Sequence, residues 1–84
     1  MQLNVLYLAR LREAFGRGTE RVDLPAPATV ADLVALLHGR GGAWTAELAP
    51  GRAVRVAVNQ EMASAATPLG EGDEVALFPP VTGG

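Results

Sequence analysis

Residues 70–84 read Gly70-Glu71-Gly72-Asp73-Glu74-Val75-Ala76-Leu77-Phe78-Pro79-Pro80-Val81-Thr82-Gly83-Gly84. The stretch opens on a glycine-rich turn, Leu69 to Gly72. Asp73 to Phe78 then alternates as a strand, with Val75 and Leu77 in one phase and Ala76 and Phe78 in the other. Apolar residues in both phases suit a central strand covered on one face and available to a partner on the other. Pro79 and Pro80 end the strand, because proline has no N–H to donate to a ladder, and they favour an extended exit. From Pro79 to Gly84 the chain can reach roughly 20 Å from the body when extended. Gly83 and Gly84 lack a Cβ, so this end can thread a slot in which any side chain would clash. A glycine terminus alone is a common frayed end. Directly after a proline-stopped final strand it is far more specific.

Working outward from that strand, the rest of the chain supplies its neighbours. Leu3, Val5 and Tyr7 alternate with Gln2, Asn4 and Leu6, which predicts an N-terminal strand with Leu6 and Leu8 in the outward phase. Ala9 to Phe15 predicts a short helix stopped at Gly16. Thr19 to Leu24 is a second strand, with Val22 and Leu24 inward, ended by Pro25 and Pro27. Thr29 is an N-cap and Asp32 stands at capping-box spacing, with Asp for the usual Glu. Val30, Leu33, Val34, Leu36 and Leu37 then predict one apolar stripe on the main helix, stopped at Gly39. Residues 43–50 hold a helical turn, and Val54, Val56 and Val58 mark a third strand. Asn59-Gln60-Glu61 is a turn and Met62 to Ser64 a short returning strand. The order predicts an α+β, two-layer fold. It fits a β-grasp architecture: a mixed sheet of four to five strands packed against one main helix, with first and last strands adjacent in the middle. Residues 1–78 form this domain and 79–84 an extended tail.

Composition bounds what such a domain can do. Its 84 residues make one domain with one small core and a radius of gyration of about 12 Å. The chain has no Cys, so disulfides, thiolate nucleophiles, thiolate zinc sites and iron–sulfur clusters are excluded. A single His excludes a His-rich metal site. A net charge of −2 argues against nucleic acid and anionic membranes as partners. No apolar run is long enough to span a membrane, and the N-terminal stretch lacks a signal-peptide layout, so a cytoplasmic domain is expected. All seven basic residues are Arg.

Individual polar residues give weaker signals. His38 closes the main helix, where a cation or a solvated side chain is expected rather than a catalytic group. Trp44 is expected to pack on the core from a loop. Glu71, Asp73 and Glu74 form an acidic cluster beside the tail, open to acid–base work, solvation or partner steering, with solvation and steering favoured. Arg10, Arg12, Arg17 and Arg21 interleave with Glu13 and Glu20 as a mixed surface.

The stretch from Gly70 to Gly84 resembles the C-terminus of the small subunit of molybdopterin synthase, a ubiquitin-like sulfur-carrier family. Val5 to Glu13 resembles its first strand and helix, and Ala57-Val58-Asn59-Gln60 its third strand and turn. The resemblance covers nearly the whole chain and is least distinctive over 29–38 and 39–52.

In that family the C-terminal glycine, here Gly84, is converted to an acyl-adenylate by an adenylating, E1-like enzyme and then to a thiocarboxylate. The sulfur comes from a donor acting through that enzyme. The tail inserts into the large synthase subunit, which passes sulfur to a cyclic pyranopterin to build the molybdopterin dithiolene. The family assembles as a heterotetramer of two small and two large subunits. The resemblance therefore implies that Pro79, Pro80, Val81, Thr82 and Gly83 are held in the partner's slot. It also implies that Leu8, Met62 and Phe78 form the partner interface on the helix-free face, with no resident cofactor or metal. An ionised α-carboxylate, with a pKa of about 3.5, is a poor electrophile, so ATP-dependent activation is chemically required. This chain has no phosphate-binding loop or Cys with which to perform it. A carrier for another pathway, such as thiamine or tRNA thiolation, and a lysine-conjugating modifier are the alternatives.

Overall fold

The first strand, β1 (Gln2–Tyr7), buries Leu3, Val5 and Tyr7 completely, as its period-2 pattern demands. The last strand, β7 (Glu74–Phe78), buries Val75 and Leu77 on the same face and runs parallel to β1, with Tyr7 level with Leu77. These two strands occupy the middle of the five-stranded sheet. Outside β1 lies β2 (Thr19–Asp23), antiparallel, with Leu3 opposite Val22. Outside β7 lies β4 (Arg55–Val58), antiparallel, with Val56 opposite Leu77, and then the short edge strand β5 (Glu61–Met62). The α+β, β-grasp expectation holds. The computed structural model describes residues 1–80, and its radius of gyration is 11.9 Å. Val81, Thr82, Gly83 and Gly84 of the expected tail lie outside the described residues.

One face of the sheet carries the helices. The main helix, α2 (Val30–His38), begins at the expected capping box: the Asp32 N–H donates to the Thr29 hydroxyl, and the Thr29 N–H donates to the Asp32 carboxylate at 2.8 Å. Val30, Leu33 and Leu37 are buried, but Leu36 is 42% exposed, which corrects the expected stripe. At about 100° per residue, Leu36 stands roughly 95° from the centre of the buried face. The N-terminal end of α2 is also tied down by an unexpected ladder. The strands β3 (Ala28–Thr29) and β6 (Pro68–Leu69) pair, so Leu69 is a strand residue and not part of the turn. Beyond that ladder, the Val30 and Ala31 N–H groups donate to the Thr67 and Ala65 carbonyls, satisfying two otherwise unpaired helix-terminal donors.

Two short helices close the ends of this layer. The helix α1 (Arg10–Phe15) stops at Gly16, which takes the left-handed conformation (φ 72°) and donates to the Arg12 carbonyl. The helix α3 (Ala43–Glu47) lies within the expected turn region and carries Trp44, so Trp44 is helical rather than a loop residue. Its indole stacks on Phe15, with ring centroids 3.8 Å apart, and Tyr7 meets both rings edge-on. The β4–β5 hairpin turns through Asn59 and Gln60, both left-handed, as a two-residue loop requires. Its return strand starts one residue earlier than expected and ends at Met62. No helix among the described residues is long and apolar enough to cross a membrane.

Candidate functional site

The alternation that buries Leu3, Val5, Tyr7, Val75 and Leu77 sends their neighbours to the opposite, helix-free face. Across that face the register aligns Leu6, Ala76, Ala57 and Met62 in one row. One step further along, the Leu8 N–H donates to the Leu77 carbonyl at 3.0 Å, which extends the β1–β7 ladder and brings Leu8 beside Phe78. Leu8 and Met62 are 42% and 60% exposed, and with Leu36 they are the exposed large apolar residues among those described. Two of these three therefore share one face with the half-buried Phe78. That clustering separates a patch from scattered surface apolars. The sheet thus places Leu8, Met62 and Phe78 on one surface, as strand phase implied.

The last strand ends at the same place. Strand β7 ends at Phe78, and Pro79 and Pro80 follow, both half-buried. The end of β7 is central in the sheet and borders Leu8.

A polar and aromatic network holds the end of β1 from the other face. The Tyr7 hydroxyl donates to Glu20 at 2.6 Å, and Arg40 donates two hydrogen bonds to the same carboxylate at 2.7 and 3.0 Å. Glu20 lies in the inward phase of β2, opposite Val5. Its carboxyl is held below its usual pKa, chiefly by the Arg40 hydrogen bonds, while the Arg40 guanidinium is raised by them. Burial and the Glu20 hydrogen bond together push the Tyr7 hydroxyl up, so it stays a neutral donor. The Arg40 guanidinium also lies 4.5 Å from the Trp44 ring centroid. Tyr7 immediately precedes Leu8, so this network fixes the strand end that presents the patch. Charge alternation made Glu20 look like a surface residue; its inward phase was the overlooked signal.

Ala9, between Leu8 and α1, adopts φ 53° and ψ −132°, a region that side-chain-bearing residues avoid. Nothing in the sequence marks this position, where a glycine would be expected.

The acidic cluster is placed differently from the sequence expectation. Glu71 and Asp73 precede β7, whereas Pro79 follows it, so a strand of about 17 Å separates them from the tail root. Asp73 accepts from the Gly70 N–H at 2.7 Å and the Asn59 side-chain amide at 3.0 Å, and Glu71 accepts from the Gln2 N–H at 3.1 Å. These carboxylates secure turns. His38 ends α2 and its carbonyl accepts from the Thr45 hydroxyl at 2.7 Å. It borders a groove of about 550 Å³ between α2 and β4, whose walls include Val30, Val34, Leu48 and Val56. Among the described residues no group of three His, Asp or Glu could hold a metal ion. The Gly70–Gly72 turn opens a strand, not a helix, and so offers no helix N-terminus for phosphate. What the described residues assemble is therefore an exposed apolar patch beside the end of the last strand.

The model of the ThiS family matches residues 5–84. The chain belongs to the ThiS family. Within it, this ThiS-family chain is similar to the molybdopterin synthase sulfur carrier subunit of Escherichia coli (strain K12), 40% identical over 82 residues, which are 98% of this chain and 99% of that one. It is also similar to small archaeal modifier protein 1 of Haloferax volcanii, 37% identical over 81 residues, 90% of this chain and 93% of the relative. Among solved structures, SAMP1 from Haloferax volcanii superposes with a TM-score of 0.85 at 34% identity, over the full length of both chains. The agreement covers the β-grasp body of the ThiS-family chain.

Proposed function

We propose that this protein is the sulfur-carrier small subunit of molybdopterin synthase, and that Gly84 carries the sulfur as a C-terminal thiocarboxylate. The observation that carries this reading is the chain exit. A central strand ends beside an exposed apolar patch and hands the chain to Pro79-Pro80-Val81-Thr82-Gly83-Gly84. The full-length relationship to a molybdopterin synthase sulfur carrier supports it.

The chemistry follows from what the chain has and lacks. The Gly84 carboxylate attacks the α-phosphorus of ATP on an adenylating enzyme, releasing pyrophosphate and forming the acyl-adenylate. Hydrosulfide-level sulfur delivered through that enzyme attacks the acyl carbon and expels AMP, leaving the thiocarboxylate with no change of oxidation state. The tail then enters the large synthase subunit, where the thiocarboxylate sulfur bonds to the cyclic pyranopterin precursor of the dithiolene and water cleaves the acyl C–S bond, returning Gly84 to its carboxylate. Pro79 and Pro80 reduce the chain entropy lost on insertion. Val81 and Thr82 supply grip in the slot, and Gly83 permits close approach of the backbone. Leu8, Met62 and Phe78 dock the body so that the tail is aimed. The protein works in the cytoplasm and supplies no catalytic side chain of its own.

Co-purification with a large synthase subunit, together with rescue of molybdoenzyme activity in a strain lacking its own small subunit, tests the assignment. Lack of rescue would overturn it. A second reading, a modifier joined to lysines of other proteins, is favoured by the relationship to a small archaeal modifier protein. Under that reading, activation yields covalent adducts on cellular proteins in place of a free thiocarboxylate.

A further inference from the structure

The docking face is not uniformly apolar. Arg55 on β4 lies directly opposite Phe78 on β7, in the outward phase and exposed. Such cross-strand neighbours sit about 5 Å apart at Cα, so Arg55 belongs to the same surface as Phe78 and Leu8. At the far end of the face, Asn4, Arg21 and Glu74 mix polarity and sign. At the tail-root end, Leu6, Leu8, Ala57, Ala76 and Phe78 are all uncharged, and Arg55 is the single charge standing among them. Elsewhere Arg10, Arg17, Arg40 and Arg52 each meet a carboxylate, whereas Arg55, like Arg12 and Arg21, forms no ion pair among the described residues; of these three only Arg55 stands at the tail-root end of the face.

We infer that the partner which covers this face carries an acidic side chain opposite Arg55, at the root of the tail. The inference rests on the docking role of the face proposed above. A protein seated on Leu8 and Phe78 takes water away from the neighbouring guanidinium. An unpaired cation is expensive to desolvate, whereas a carboxylate can accept two parallel hydrogen bonds from Arg in a planar fork. The sequence expectation treated Arg55 only as the polar alternate of a strand. The register makes it a selectivity element: an acidic partner is favoured, and one with a basic or purely apolar surface there is disfavoured.

The test is a calorimetric titration of the wild type, Arg55→Lys, Arg55→Leu and Arg55→Glu against the large synthase subunit, at low and high salt. Circular dichroism checks that each variant is folded. Arg55→Glu is expected to bind at least about tenfold more weakly than wild type, with Arg55→Lys between the two, because Lys keeps the charge but not the planar fork. Arg55→Leu is expected to lose part of the salt dependence. Arg55→Leu keeps the inference testable should the charge reversal disturb folding. Wild-type binding with all three variants within twofold of it, and unchanged salt dependence, would overturn the inference and leave the docking role standing. Absence of wild-type binding would instead overturn the docking role itself.

Discussion

The Leu8 N–H donates to the Leu77 carbonyl at 3.0 Å, one residue beyond the last paired position of β1. That bond links the two halves of the molecule's design. Leu77 points into the core and is fully buried, while Leu8 and its neighbour Phe78 point away from the helices. With the docking role proposed for Phe78, adjacent residues on one strand serve stability and docking separately, and substitutions can pull the two apart.

Phe78→Ala is expected to leave the fold intact and weaken assembly with the large subunit by about 2 kcal/mol, or roughly 30-fold in Kd, as for an aromatic anchor near an interface centre. Titration calorimetry measures the affinity and urea denaturation the stability. Unchanged affinity would remove Phe78 from the interface.

Leu77→Ala should behave in the opposite way. It empties a fully buried site on a central strand, with an expected cost of about 2–5 kcal/mol of stability. The urea midpoint should fall sharply. Any loss of binding should track the loss of folded protein.

Ala9→Gly is expected to stabilise the protein by about 1 kcal/mol, because glycine adopts φ 53°, ψ −132° without the clash that a Cβ creates. A lower urea midpoint would show that the strain is not relieved by removing the methyl group.

The acid limb of stability should report Glu20. Its carboxyl is depressed by Arg40, so its contribution is full above the unfolded value of 4.5 and is lost as pH falls through the lower folded value. Thermal midpoints should therefore drop on acidification below about pH 4.5 in the wild type. Glu20→Gln should start lower at neutral pH and show a shallower acid decline. An equally steep acid decline in Glu20→Gln would assign the effect to other carboxylates.

Much of this arrangement was legible in the sequence, for identifiable reasons. The strand phases of β1 and β7 were readable because Leu3, Val5, Tyr7, Val75 and Leu77 alternate without interruption. The helix start was readable because Thr29 and Asp32 form a local device that depends on no distant contact. The β3–β6 ladder was not readable, since two-residue strands have no period and their pairing joins Ala28 to Leu69 across the chain. Leu36 was misassigned because i, i+3 and i+4 spacing alone widens a stripe beyond the face that packs. The acidic cluster was misplaced because closeness in sequence is not closeness in space: β7 itself separates Asp73 from Pro79. Arg55 gained meaning only when register set it opposite Phe78.

The central claim is that Gly84 carries the sulfur, and intact and fragment mass after incubation with the adenylating enzyme, ATP and a sulfur donor tests it most directly. The chain has no Cys, so a gain of sulfur cannot be a persulfide. Oxidation of Met1 or Met62 adds nearly the same mass, so the shift must be located by cleavage after Glu74, which releases a methionine-free C-terminal fragment. The expected result is replacement of one oxygen by sulfur in the 75–84 fragment, abolished when one residue is appended after Gly84. An unchanged 75–84 fragment, or conversion that persists with the appended residue, would contradict the claim.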